Sequence, residues 1–305
     1  MSKLLRAFWR VITFPFVLVF NIVAFPFRLA RRAYHFLNDE IEEDHSLIDT
    51  FSSLATEPQV RASLWDHIEA LRMHLLRAVL SLVVTVIISF TFTQQLIEFL
   101  AQPVGGLDKL RAIEVTESVG VFMRAALLSG IALALPYIAF EFWLFAAPGL
   151  KPRERKFGLA GIPLAGIFFI GGIVFCYYVL LPSALNFLLN FMGIQAELRP
   201  SSYFSFVTGL MFWIGVAFEF PLVIYILTSV GFVQPQVLAQ QWRLAIVIIS
   251  IAAAAITPTV DPVNMSLVMI PMSLLYFLSI GLSYIAYAGR NNRAAKAVGT
   301  ESSPP

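Results

Sequence analysis

Charge is scarce in this sequence. Asp, Glu, Lys and Arg make up only 13% of the 305 residues, hydrophobic residues make up 58%, and mean hydropathy is +0.79. A soluble domain carries roughly a quarter charged residues, because its surface must be solvated, so this composition excludes a water-soluble globule. Cysteine is nearly absent. Cys176 stands alone inside an apolar run, which excludes an intrachain disulfide and a cysteine-based metal site and reads as a small hydrophobe. The histidines His35, His45, His67 and His74 all precede or begin the first long apolar block. No H-E-x-x-H occurs, which argues against a membrane zinc protease. No histidine follows His74 to act as the base of a serine intramembrane protease, and Asp261 is the only aspartate beyond position 108, where an aspartyl type needs two. A nucleotide-binding P-loop is also missing. The net charge of +2 is too small to call for nucleic acid. The chain reads as a protein that is not an enzyme and takes no metal or cofactor.

What the sequence does have is long apolar blocks, the signature of helices whose solvent is lipid. Six follow one another, over about 75–92, 121–146, 157–185, 204–230, 243–256 and 265–288. The fifth is short for an untilted crossing of an unthinned bilayer. The breaks carry turn residues: Pro103-Val104-Gly105-Gly106, Pro148-Gly149, Pro200-Ser201-Ser202, Pro235 and Pro258. Basic residues set the expected orientation. Arg61 and Arg72 precede the first block, Lys151, Arg153, Arg155 and Lys156 crowd the loop after the second, Arg243 opens the fifth, and Arg290, Arg293 and Lys296 follow the sixth. The other side has Lys109, Arg111 and Arg199. The positive-inside rule therefore predicts a multi-pass protein of the cytoplasmic membrane with both termini cytoplasmic.

Residues 1–60 are expected to form an N-terminal extension to a core over 61–288, with a cytoplasmic tail over 289–305. The apolar stretch Val11–Ala30 has basic residues at both ends and Phe-Pro-Phe at 14–16 and again at 25–27, so prolines interrupt any single helix. It is expected to lie in, or dip into, the cytoplasmic leaflet, with a true span as the alternative. No small-residue cleavage site follows it, which disfavours a signal peptide. The acidic, polar stretch over 38–60 reads as a solvated linker.

Ionisable groups inside apolar blocks are costly and default to functional hypotheses. Glu219 lies near the middle of the fourth block and Glu141 toward the cytoplasmic end of the second. Each has to face a wet cavity, find a partner or stay protonated; a satisfied carboxyl in the bundle interior is the plain alternative for both. Arg124 is expected to snorkel to the outer surface. In the basic loop, Glu154 weakens the positive bias. A lone carboxylate beside a membrane surface suits an arginine, with bidentate geometry if desolvated, and the plain alternative is pairing with neighbouring arginines.

Several strings resemble one family. His67-Ile-Glu-Ala-Leu-Arg72 resembles the H-L-x-E-L-R of TatC proteins, and Phe142-Trp-Leu-Phe-Ala-Ala-Pro-Gly-Leu150 with Glu154-Arg155 resembles that family's W-x-F-x-x-P-G-L…E-R loop. Phe218-Glu-x-Pro221 is similar to its fourth-span F-E-x-P, and Thr257-Pro258…Asp261-Pro262 to its outer T-P-x-D-P turn. Leu181-Pro182 with Phe187, and Tyr203-Phe-Ser-Phe206, fit the same order across about 65–288. The resemblance implies an all-α integral membrane protein, six transmembrane helices in a concave, glove-like bundle. It implies the receptor and core subunit of a translocase that exports folded proteins on the proton motive force. Its partners would be twin-arginine signal peptides, single-span TatA/TatB-like subunits and further copies of itself. Carried over by position, Glu154 and Phe145 belong to the twin-arginine site, Glu219 faces the concave membrane pocket, and Pro258 and Asp261 lie in the outer turn.

The departures are specific. The family's N-terminal glutamate falls at Ala70 here; Glu69 is one position early, a rotation of about 100° on a helix. Asp66, one turn before Ala70, shares its face, and Ser63-x-x-Asp66 also reads as a capping-box variant. Glu69 and Asp66 are both candidates for that carboxylate. Glu141 replaces the family's usual glutamine, and Asn264-Met265 its serine-glutamine. The competing reading is a proton-coupled transporter of a small solute working through Glu141 and Glu219, which the absence of an internal six-span duplication disfavours.

Overall fold

The computed structural model describes residues 58–149, 152–190, 197–257 and 261–301. The expectations for residues 1–57, for Pro258, and for the side chains of Asp66 and Glu154 lie outside the described residues.

The described chain is all helix apart from turns and one isolated bridge, Leu110 to Leu198. In chain order the helices are α1 (Pro58–Ser89), α2 (Thr93–Ala101), α3 (Glu117–Ala146), α4 (Pro152–Phe175), α5 (Leu181–Asn190), α6 (Pro200–Val230), α7 (Pro235–Gln240), α8 (Trp242–Ile256) and α9 (Pro262–Glu301). Among the described residues, five stretches are long and apolar enough to cross a membrane: His67–Ser89, Glu117–Ala146, Gly158–Asn190, Pro200–Ser229 and Pro262–Ala288. The fifth block of the sequence becomes α8, 15 residues long, about 22 Å at 1.5 Å per residue. It is short, as its sequence implies. α1 begins at Pro58, so Ser63 lies inside the helix and the capping-box reading of Ser63 and Asp66 is corrected.

Breaker residues act at the ends. Gly105 and Gly106 hold φ of 91° and 100° in the turn after α2, a region open to glycine. Gly231 closes α6 at φ 98°, and its N–H and that of Phe232 donate to the Leu227 carbonyl at 3.0 and 2.9 Å. Asp261 caps α9: its Oδ1 accepts the Asn264 backbone N–H at 2.7 Å, with Pro262 at the first helical position. Where Pro182 withholds an N–H, the helix running on from α4 widens into a π turn over Cys176–Leu180.

α1 packs on α3, α3 on α4 and α6, α4 on α6, and α6 on α9, which carries α8 at the edge. The two ends of this bundle differ. At the end holding the α2 region and the first turns of α3 and α6, the buried core is continuous through Leu100, Val121, Leu181, Phe204, Val207 and Val268. Near mid-bundle α4 and α6 touch backbone to backbone: a Cβ on Gly172 would sit 2.8 Å from the Cα of Gly215, and one on Gly215 2.7 Å from the Phe169 ring. Beyond that contact, toward the end with the basic loop, the helices part.

Candidate functional site

The parting leaves an open cavity of about 520 Å³. Its walls are the last turns of α3 (Phe142, Trp143, Phe145), the first turns of α4 (Gly158, Gly161) and the second half of α6 from Glu219 to Ser229. Glycine on α4 makes it possible. A Cβ at Gly158 would meet the Trp143 indole at 2.7 Å, and one at Gly161 would meet Ile226 at 3.0 Å. Trp143 is fixed in turn, donating from Nε1 to the Arg155 carbonyl at 3.1 Å.

Phe145 and Glu219, selected separately from the sequence, line this one cavity. Glu219 supplies a carboxylate to a largely apolar wall, and among the described residues its Oε1 is buried without a hydrogen-bond partner. Buried polar atoms are ordinarily paired, so this oxygen is an exception in the interior of the bundle. The basic loop is also more structured than a topology signal requires. The Arg155 side chain is buried, its Nε donating to the Ala147 carbonyl at 2.7 Å and Nη2 to the Pro148 carbonyl at 3.3 Å. It satisfies carbonyls at the C-terminus of α3, where a cation also suits the helix dipole. Glu154, whose backbone belongs to the first turn of α4, is thereby held next to a rigid corner.

The α1 side of Phe145 forms a second cluster. The His67 ring lies 4.5 Å from the Phe145 ring and His74 is edge-on to it at 6.2 Å. His74 Nδ1 bonds the Glu141 carboxylate at 2.6 Å, with Glu141 only 3% exposed. A crevice of about 20 Å³ between α1 and α3 is lined by His74, Glu141, Phe142 and Phe145. Glu141 thus faces α1, away from the cavity that Glu219 lines. Glu69 is 61% exposed and pairs with Arg72 at 3.5 Å. Sequence reasoning singled out Glu141 but missed its partner; the available signal was the seven-residue spacing of His67 and His74, two turns on one helix face.

At the opposite end the structure reveals a cluster that the sequence reading did not assign. Glu117, 4% exposed, accepts from Arg199 at 2.7 Å and from the backbone N–H of Glu114 at 3.2 Å and Ser201 at 3.4 Å. Glu117, and then Glu114, push the Arg199 pKa further up. Arg124 lies at this end too, donating to Ser205 at 2.9 Å from an exposed position.

An all-helical, multi-pass membrane protein with a largely apolar cavity open at one end, and Glu219 as the one carboxylate among the described residues of its wall, is the class that these features define. The family model for the Sec-independent protein translocase protein (TatC) matches residues 66–271. Curated TatC proteins of Deinococcus radiodurans and Carboxydothermus hydrogenoformans are similar at 39% and 37% identity, covering 73% and 72% of this chain and 86% and 91% of theirs. A crystal structure of the twin-arginine translocase receptor TatC superposes with a TM-score of 0.65 at 32% identity, over 72% of this chain and 99% of that one. The chain belongs to the TatC family of Sec-independent protein translocase proteins.

Proposed function

We propose that this chain is the signal-peptide receptor of a twin-arginine translocase. The paired arginines dock at the basic-loop end, where Glu154 accepts one guanidinium and Phe145 offers a ring face for stacking. The apolar part of the peptide then enters the cavity between α3, α4 and α6 and runs toward Glu219. The observation that carries this reading is that one cavity reaches from Phe145 at the loop to Glu219 on α6. A largely apolar groove with a carboxylate in its wall suits an amphipathic or apolar helix better than a small solute. Glu141 and Glu219 do not share that cavity, so they do not form the common ion site that a coupled transporter would use.

On this reading the basic-loop end is cytoplasmic, by the lysine and arginine bias of its loops, and both ends of the described chain lie on that side. Single-span TatA/TatB-like partners and further copies of the chain assemble around the peptide-loaded cavity, and the proton motive force drives translocation. The test is photocrosslinking from a reactive residue at position 145 or 154 to a signal peptide in arginine-pair and lysine-pair versions. Crosslinking of the arginine-pair peptide with weak or no labelling by the lysine-pair peptide is expected. Equal labelling of both would overturn the assignment.

A further inference from the structure

The cavity side of Phe145 leads to Glu219, but the side facing α1 holds a carboxylate of its own. We propose that Glu141 is the acceptor for the second guanidinium of the signal peptide, with His74 as its exchangeable partner. This rests on the docking reading above and adds to it a second anchor, on the α1 side of Phe145.

Five observations converge. Glu141 is one turn before Phe145 on α3, and both line the same crevice. Its carboxylate is 3% exposed, so any cation reaching it is desolvated and its interaction strengthened. The groups facing it are His74 and Arg77 from α1 and the Tyr137 hydroxyl from α3. The bonded partner from α1 is thus an imidazole, a single N–H donor that a two-pronged guanidinium outbids in number and planarity of hydrogen bonds. His74 is 20% exposed, so its ring has a route outward. The other candidate acceptor on α1 with a described side chain is turned elsewhere: Glu69 is open to solvent and already paired with Arg72.

The crevice of about 20 Å³ has room for a water and not for a guanidinium. Arginine entry therefore requires His74 to swing out and His67 to leave the Phe145 face, so that the guanidinium stacks on Phe145 while bonding Glu141. Lysine, a point cation with no planar face, gains little from this arrangement. The inferred site discriminates arginine from lysine by shape as well as by charge.

The test uses the full chain in lipid nanodiscs and measures equilibrium binding of signal peptides carrying Arg-Arg, Arg-Lys, Lys-Arg or Lys-Lys. The wild type should prefer Arg-Arg to both single-lysine peptides. Glu141→Gln should weaken Arg-Arg binding about ten-fold, leave Lys-Lys binding unchanged, and make one of the single-lysine peptides equal to Arg-Arg. Ala70 is half-buried one turn before His74, so Ala70→Glu added to Glu141→Gln returns a carboxylate to the same seam and should restore the preference. If Glu141→Gln does not yield folded protein, Glu141→Asp, which withdraws the carboxylate by one methylene, should weaken Arg-Arg binding selectively. Wild-type selectivity surviving in a folded Glu141 variant overturns this inference alone. A wild type that binds Arg-Arg and Lys-Lys equally overturns the docking reading beneath it.

Discussion

The two ends of this bundle are built on opposite policies. Around Glu117 the interior is closed. A buried carboxylate collects donors from one guanidinium and several backbone N–H groups, and the Tyr177 and Tyr203 hydroxyls donate to the carbonyls of Phe99 and Leu100 at 2.9 and 2.6 Å. Around Phe145 the interior is open. The helices part, glycines replace side chains along α4, and a carboxylate oxygen of Glu219 is left without a partner. Burying polar groups is tolerable only when they are satisfied, and the closed end meets that condition more fully than the open one. On the proposed function, the closed end stabilises and the open end recognises.

Substitutions can break that contrast, and the largest effect is expected at the closed end. Glu117→Ala removes the buried partner of Arg199, which keeps Glu114 at 3.1 Å, and strands the N–H groups that Glu117 serves. It should lower the melting temperature of the detergent-purified protein by several degrees and reduce its accumulation in membranes, read by fluorescence thermal shift and immunoblot. A full melting curve would show that this cluster does not organise the closed end. Next is Glu154→Ala. The protein should insert normally and fail to export a reporter that depends strictly on the twin-arginine route; normal export by this variant removes Glu154 from the docking site.

A smaller and more selective effect is expected at Glu219. Glu219→Ala should slow translocation while leaving arginine-pair crosslinking intact, and Glu219→Gln should largely retain activity, because an interhelical hydrogen bond in a membrane contributes only about 1 kcal/mol. Loss of peptide crosslinking in a folded Glu219→Ala protein would merge two roles that the cavity geometry separates. The smallest is Arg155→Lys. It keeps the charge but not the two-point grip on Ala147 and Pro148, and should cost about 1–2 kcal/mol of stability, measured by denaturant unfolding, with export reduced rather than lost.

Much of this architecture was legible in the sequence, for reasons that differ between regions. The apolar blocks became the crossing helices because lipid forces long, internally hydrogen-bonded segments, and the shortness of α8 was visible as a 243–256 block. Phe145 and Glu219 were found through local strings, yet nothing in the sequence showed that they share a cavity, since their joint position depends on how α3, α4 and α6 splay. The Glu117–Arg199 cluster was hidden because its members are 82 residues apart and Arg199 already had a role in the topology count. His74 and Glu141 pair across 67 residues for the same reason. Arg155 looked like one more basic residue of a loop, and only folding shows it turned inward onto two carbonyls. Asp261 was placed by resemblance in a turn; its capping of α9 is the physical reason an Asp-Pro step belongs there.

The backbone contact between Gly172 and Gly215 has a mechanical consequence. It lies between the closed core and the open cavity, so it is a fulcrum for α4 and α6. From Gly172 to Gly161 at the cavity wall the helix runs about 16 Å, and over such an arm a few degrees of change in crossing angle moves the wall by about 1 Å. A methyl group inserted at this crossing would force the two helices apart.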